Sequence, residues 1–288
     1  MANSINTNAG ALVALQNLNQ TSRDLATTQN RVNTGQKISS AKDNGAIFAI
    51  ATSQRAEMGA QDAVKQSLQR GQSIVDVALS AGETVTNALT ELKSLAVAIQ
   101  DAPTGSDTAT KLNADFSAIV AEIKSALTGA NFDGVNLFKA NAAAIDVTTN
   151  TSGGKFTLKS APGAAAGAVL ATGEVDATQG AAVVGPPALA AFDLDTPADR
   201  TAANVERAVA NFSTVLADLG TKSKSLDRQL VFTSKMQDAL EVGIGNLVDA
   251  DLAKESAKLT ALQTKQQLGV QALSIANQSS SILLGLFR

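Results

Sequence analysis

The sequence predicts a mainly α protein: long antiparallel helical rods or coiled coil, a small β-hairpin, and a short loop/β insert. Three observations carry that reading. Apolar residues recur at spacings of three and four over stretches far longer than an ordinary globular helix. Aromatic residues are 3% of the 288 residues and all of them are Phe, which suits long helices packed through small aliphatic side chains. Residues 1–22 and 266–287 carry no charged side chain, although the whole chain holds 23 Lys+Arg against 26 Asp+Glu. Two charge-free ends of matching length, remote in sequence, point to two segments sharing one packed environment.

That environment is not lipid. The opening run MANSINTNAGALVALQNLNQTS is rich in Asn, Gln, Ser and Thr. A membrane span needs about 20 consecutive, mostly apolar residues. A signal peptide needs a basic start and an apolar core, and neither is visible here. The net charge of −3 and the lack of clustered Lys/Arg argue against nucleic acid and anionic lipid as partners. The chain has no cysteine and no histidine. Thiol nucleophiles, imidazole bases and Cys/His zinc sites are thereby excluded together, and so is disulfide stapling.

Taken in order, residues 4–34 read as one amphipathic helix of roughly 45 Å. Its heptad series is Ala11, Leu18, Leu25 and Val32, broadened by Ile5, Leu12 and Leu15. Gly35 supplies a left-handed stop. In the polar loop QKISSAKDNGA, Ser39, Ser40 and Asp43 are candidate N-caps for the next helix. Residues 44–100 continue at helical spacing through Val64, Leu68, Val75, Leu89, Leu92 and Leu95, without proline. Pro103-Thr104-Gly105-Ser106 is a turn, and residues 107–128 resume the helix through Phe116, Ile119 and Ile123.

At NFDGVNLF, residues 131–138, Asp133-Gly134 between apolar neighbours signals a tight hairpin. Residues 141–195 are rich in Gly, Ala, Thr and Pro, with alternating pieces at Ala144–Thr149 and Lys155–Lys159. They read as an insert at the far tip of a folded-back chain. Helix returns from about Pro197 to Leu240, and Gly243-Ile244-Gly245-Asn246 reads as a hinge that breaks it. The last segment keeps two heptad series: Leu252, Leu259, Gln266, Leu273, Ser280, and Glu255, Leu262, Gly269, Ala276, Leu283. Their small and uncharged polar members allow close helix approach. The expected division is 1–43 with 245–288, then 44–140 with 196–244, then the insert.

No catalytic, cofactor or metal residue is assigned. Asp249, Asp251 and Glu255 crowd seven residues, but a calcium loop needs glycine at its sixth position, where Lys254 stands. Asp249 or Asp251 as helix N-cap is the simpler reading. Gly243-Ile244-Gly245 lacks both the third glycine and the preceding strand of a dinucleotide loop. The Asn-x-Ser/Thr triplets at Asn19, Asn150, Asn211 and Asn277 are common by chance, and three fall in predicted helices. The uncharged amphipathic ends either pair within one monomer or need neighbouring copies to bury their faces. Assembly is favoured, because an uncharged apolar stripe otherwise aggregates. The interface residues so expected are Ile5, Leu12, Leu15, Leu18, Leu25 and Val32 at one end, and Leu252, Leu259, Leu262, Leu273, Ala276 and Leu283 at the other.

These motifs resemble bacterial flagellin over nearly the whole length except the insert. SINTNAGALVALQNLN, RVNTGQKISSAKDNGAIFAIA and ANFDGVNLF are similar to its N-terminal helix, loop and hairpin. NLVDADLAKESAKLTALQTKQQLGVQALSIANQSSSILLGLFR is similar to its C-terminal signature, in the alphaproteobacterial form. The resemblance implies a structural subunit that polymerises with itself into the extracellular flagellar filament. Its termini would form the inner tube. It implies export unfolded through the flagellar type III apparatus, helped by an export chaperone, the filament cap and hook-junction proteins. A hook–filament junction protein shares such termini and is the alternative. Flagellins sensed by the animal Toll-like receptor carry an arginine four residues before a Leu-Ala-Val triplet. Here that position is Glu91; the family's leucine is kept as Leu95, and its downstream acid aligns with Asp115.

Overall fold

The computed structural model describes residues 8–138, 145–158, 179–180 and 192–285, with backbone alone for 179–180 and 279–285. Five long helices dominate these residues: α1 Ala9–Thr34, α2 Gly45–Asp101, α3 Asp107–Gly129, α4 Ala202–Val248 and α5 Leu252–Gly285. Four short strands complete them: β1 Ile145–Thr148, β2 Lys155–Leu158, β3 Gln179–Gly180 and β4 Phe192–Asp193. β1 pairs antiparallel with β2, and β3 with β4. The chain divides into two compact units, Gly59–Gln237, and Met1–Met58 with Asp238–Arg288. Stretches of α2 and α4 belong to each.

The larger unit is a helical core closed by hairpins. α2, α3 and α4 bury Leu68, Val75, Leu89, Leu92, Phe116, Ile123, Phe212 and Leu219 together. Phe138, just past the tight turn, stacks on Phe212 with centroids 5.8 Å apart. α2 and α4 approach closely at Gly82, where an added Cβ would run into Leu216. The tight turn forms as expected: Phe132 and Val135 exchange backbone hydrogen bonds of 2.9 Å, and Asp133 and Gly134 take φ of 53° and 79°. Positive φ at both central positions is the requirement of a type I′ turn.

The first part of the insert does not lie at the far tip. α3 runs back along α2, so the chain leaves it beside Arg70, which pairs with Asp133. The β1–β2 hairpin then rests on the middle of α2 and α4. Thr148 N donates to Ser67 Oγ at 3.0 Å and Gln229 Nε2 to Thr149 O at 2.9 Å. Gly71 leaves room for Val147, whose Cγ2 lies 2.7 Å from where a Cβ would stand. The end of α2 is instead the Pro103–Ser106 turn, with Ser106 capping α3.

Arg200 fastens the return from the insert. Its guanidinium donates to the carbonyls of Leu194, Asp195 and Asn113, to Asn113 Oδ1 and to Ser117 Oγ. It also lies 5.2 Å from the centroid of the Phe116 ring. Burial pulls its pKa below the ordinary arginine value, and nearby Asp195 opposes that shift. Seven residues on, Arg207 lies 4.8 Å from the centroid of Phe192.

The smaller unit contains α1, α5, the start of α2 and the end of α4. Two linkers pair across it: Ala250 N donates to Gly35 O at 2.9 Å, and Lys37 N and Ile38 N donate to Val248 O. Beneath them, Ile38, Ala51, Ile244 and Val248 form a small core. This core explains one departure from expectation. α4 does not break at Gly243–Asn246 but continues to Val248. Each helical glycine costs about 1 kcal/mol against Ala, and burial of Ile244 and Val248, at about 1.5–3 kcal/mol per side chain, offsets it. The break falls at Asp249–Asp251.

Other boundaries also move. α1 starts at Ala9, where Asn8 is extended and caps it by accepting from Ala11 N at 3.0 Å; the expected start at residue 4 lies outside the described residues. Gly35, φ 69°, ends it in the left-handed region. Neither Ser39, Ser40 nor Asp43 caps α2. Asn44 does, with Oδ1 accepting from Ile47 N at 3.1 Å. Asp43 instead closes its own loop by accepting from the backbone and hydroxyl groups of Ser39 and Ser40. Those bonds, led by the Ser40 amide, hold its carboxyl below the ordinary aspartate value. Pro197–Asp199 forms a separate short 3₁₀ turn before α4.

Candidate assembly surface

The described parts of the two charge-free segments lie on α1 and α5, which pair. Asn8 Nδ2 donates to Ala276 O at 2.7 Å at one end of their contact. Midway, a Cβ on Gly269 would stand 3.2 Å from Leu18 Cδ1, so the glycine brings the backbones together. At the other end Arg31 pairs with Glu255 at 3.3 Å. The seam of α1 is Leu18, Thr21, Leu25, Thr28 and Val32 in heptad order, with Thr21 and Thr28 buried. Thr21 satisfies its hydroxyl on Asn17 O at 2.9 Å. From α5 the series Glu255, Leu262, Gly269, Ala276 meets it, and Leu262 is buried.

Side chains off this seam stay open. Leu12 is 59% exposed and Leu15 44%, with Val13 between them. On α5, Leu252, Leu268, Val270 and Ile275 are exposed, Ile275 to 68%. Leu259 and Leu273 are half-buried. Ile5 lies outside the described residues, as does the side chain of Leu283. α5 is therefore apolar on several sides, and α1 covers one of them.

The acidic cluster resolves into structural tasks. Asp251 caps α5, its Oδ1 accepting from Lys254 N at 3.1 Å. Asp249 pairs with Gln36 across the linkers. Among the described residues no group of His, Cys, Asp or Glu could hold a metal ion, and no helix is long and apolar enough to cross a membrane. In the larger unit, Glu91 on α2 and Asp115 on α3 are exposed and Leu95 is half-buried.

Asn8, Thr21, Thr28 and Arg31 are contact residues that apolar periodicity passes over. A signal did exist: Thr21 and Thr28 sit between Leu18, Leu25 and Val32 of one heptad frame, and Glu255 stands in one heptad series of α5.

Comparison with known proteins identifies the family. The model of the bacterial flagellin N-terminal helical region matches residues 5–143, and that of the flagellin C-terminal helical region matches residues 202–287. The chain is 48% identical to flagellin FljK of Caulobacter vibrioides, over 99% of both chains. It is 39% identical to a flagellin of Brucella melitensis, again over 99% of both. Flagellin C of Rhizobium meliloti is 31% identical over 99% of each. The crystal structure of Bacillus cereus flagellin aligns with a TM-score of 0.43 and 17% identity, over 58% of this chain and 87% of that one. With both terminal regions matched and relatives similar from end to end, the chain belongs to the bacterial flagellin family and is a structural subunit of the flagellar filament.

Proposed function

We propose that the chain polymerises through α1 and α5, in the extracellular filament, and performs no catalysis of its own. The observation that carries this reading is the apolar surface left on the terminal helices after they pair with each other. Leu12, Val13 and Leu15, with Leu252, Leu268, Val270 and Ile275, remain in water in the isolated chain. Apolar surface is worth about 25 cal/mol per Å² when removed from water, so neighbouring copies gain by covering these faces. Of the residues expected at the interface, Leu18, Leu25, Val32, Leu262 and Ala276 serve the seam within the chain, and the surface offered to the next copy extends instead to Ile5, Leu259, Leu273 and Leu283. In this reading the terminal pair lines the inner wall of the filament. The insert, 141–195, is the variable part.

Export unfolded through the flagellar apparatus fits a chain without cysteine, since a disulfide loop could not thread a narrow channel. Partners in that route are an export chaperone, the filament cap and the hook-junction proteins. Electron microscopy of purified, salt-precipitated protein is the test. Long helical fibres are expected. Short capped rings or persistent monomers indicate the hook–filament junction role instead, and substrate turnover without polymer indicates an enzyme.

A further inference from the structure

The charge-free ends pose a problem of register. Along the seam α5 offers Leu262, Gly269, Ala276 and Leu283 at seven-residue intervals. A slide of one heptad sets small or aliphatic residues against α1 in either position, so hydrophobic burial discriminates weakly between them. Polar groups in such a seam set register at some cost in stability. The exposed cations of α5, Lys254, Lys258 and Lys265, point to solvent. Arg23 and Asp24 bond to Gln20 within α1.

Arg31 and Glu255 differ. They join α1 to α5 at 3.3 Å, with side chains only 24% and 12% exposed. The pair is poorly built for stability, because Arg31 Nε and Glu255 Oε2 are buried without a protein partner. A buried ion pair offsets its desolvation only when its remaining polar atoms are satisfied. It stands, however, one turn from the paired linkers Gly35–Ile38 and Val248–Ala250, where a slipped register would tear backbone hydrogen bonds.

We infer that Arg31 and Glu255 are positioning residues that select the antiparallel register of the two terminal helices, and that their contribution is specificity rather than stability. The inference rests on the filament reading, because register decides which apolar faces the paired termini present to the next copy.

The absence of cysteine makes a direct test available. A Cβ on Gly269 stands 3.9 Å from Leu18 Cβ, inside the disulfide range of about 3.5–4.5 Å. The double variant Leu18→Cys/Gly269→Cys therefore reports the native register. Leu18→Cys/Ala276→Cys reports a slide of one heptad. Each pair is placed in three backgrounds: unmodified, Arg31→Leu/Glu255→Leu, and the swap Arg31→Glu/Glu255→Arg. Mild oxidation is followed by non-reducing gels, where intramolecular bridges keep monomer size. Filaments are used where they form, and dilute chains otherwise.

In the unmodified chain and the swap, only the native bridge should form. The apolar background should keep its helix content but lose a large share of the native bridge and gain the slid one. A native bridge at unmodified yield in the apolar background, with no slid bridge, overturns the inference. Should that background fail to fold, Glu255→Lys decides: full native bridging across like charges overturns it equally. Sedimentation of the same samples reads polymer formation separately. A chain that bridges in native register yet never pellets counts against the filament reading and not against the register lock.

Discussion

Single residues on α5 illustrate how much depends on which face is covered. Leu273 is half-buried beside the α1 seam. Leu273→Asp places a carboxylate where neighbouring helices are to pack, and burying an unpaired carboxylate costs on the order of several kcal/mol. Cells carrying it should export monomer, build few filaments and lose motility. Normal filaments by microscopy would show that Leu273 faces solvent. Glu91 tests a different surface. By the resemblance, this position matches an arginine of receptor-sensed flagellins; here an exposed carboxylate stands there, with Leu95 half-buried four residues on and Asp115 exposed on α3. An anion in place of a cation at a desolvated contact loses its partner and adds repulsion, about 2–5 kcal/mol in comparable interfaces. That corresponds to at least tenfold in affinity. Monomer should therefore activate the receptor weakly, and Glu91→Arg should restore part of the response. A reporter-cell dose series with the unmodified protein at the potency of an enterobacterial flagellin would refute this. Assembly should be unaffected, since Glu91 is solvated in the isolated chain.

At the scale of elements, periodicity gave the five helices their existence and order, because each buries a stripe at heptad or near-heptad spacing. What it missed has local causes. Gly243 and Gly245 read as a break because their intrinsic helix preference is poor, and the tertiary burial of Ile244 and Val248 against Ile38 and Ala51 overrides that preference. Asn44 was hidden as a cap among Ser39, Ser40 and Asp43, three residues of equal capping chemistry whose real partners are one another. The first part of the insert lies elsewhere than expected because nothing in its Gly/Ala/Thr composition tells that Val147 seats over Gly71. The buried threonines and Arg31 of the terminal seam carry polar side chains that a search for apolar stripes discards. The continuous α4 makes its own prediction. Gly243 has helical backbone and open space where a Cβ would stand. Gly243→Ala should therefore stabilise the chain by about 0.5–1 kcal/mol. Thermal melting followed by circular dichroism should show a higher midpoint. A lower one would mean that the position needs to flex.

For the whole molecule, the contrast between the two units sets expectations about what holds together before assembly. The larger unit, Gly59–Gln237, has a core shared by three helices, two hairpins and the Arg200 clamp. The terminal helices have one another along a single seam, the small core at Ile38, Ala51, Ile244 and Val248, and water elsewhere. Segments with few buried contacts open most readily, and proteolysis concentrates there. Limited digestion of dilute monomer should accordingly remove about 40 residues from each end and leave a product close to residues 45–240. In assembled filaments the same sites should be protected, because copies cover the exposed aliphatic side chains. Mass spectrometry of the fragments reads both states, and equal resistance of the ends in dilute monomer would count against assembly as the source of their stability. Removing residues 269–288 carries the argument to its end. The deletion takes away Gly269, Leu273, Ala276 and all of the charge-free stretch except Gln266, Gln267 and Leu268, but no residue of the larger unit. Its product should retain nearly all of the helix signal of α2, α3 and α4, remain monomeric at concentrations where the full chain pellets, and lose the protection of α1 in hydrogen exchange. Retained pelleting would place the polymerising contacts outside residues 269–288.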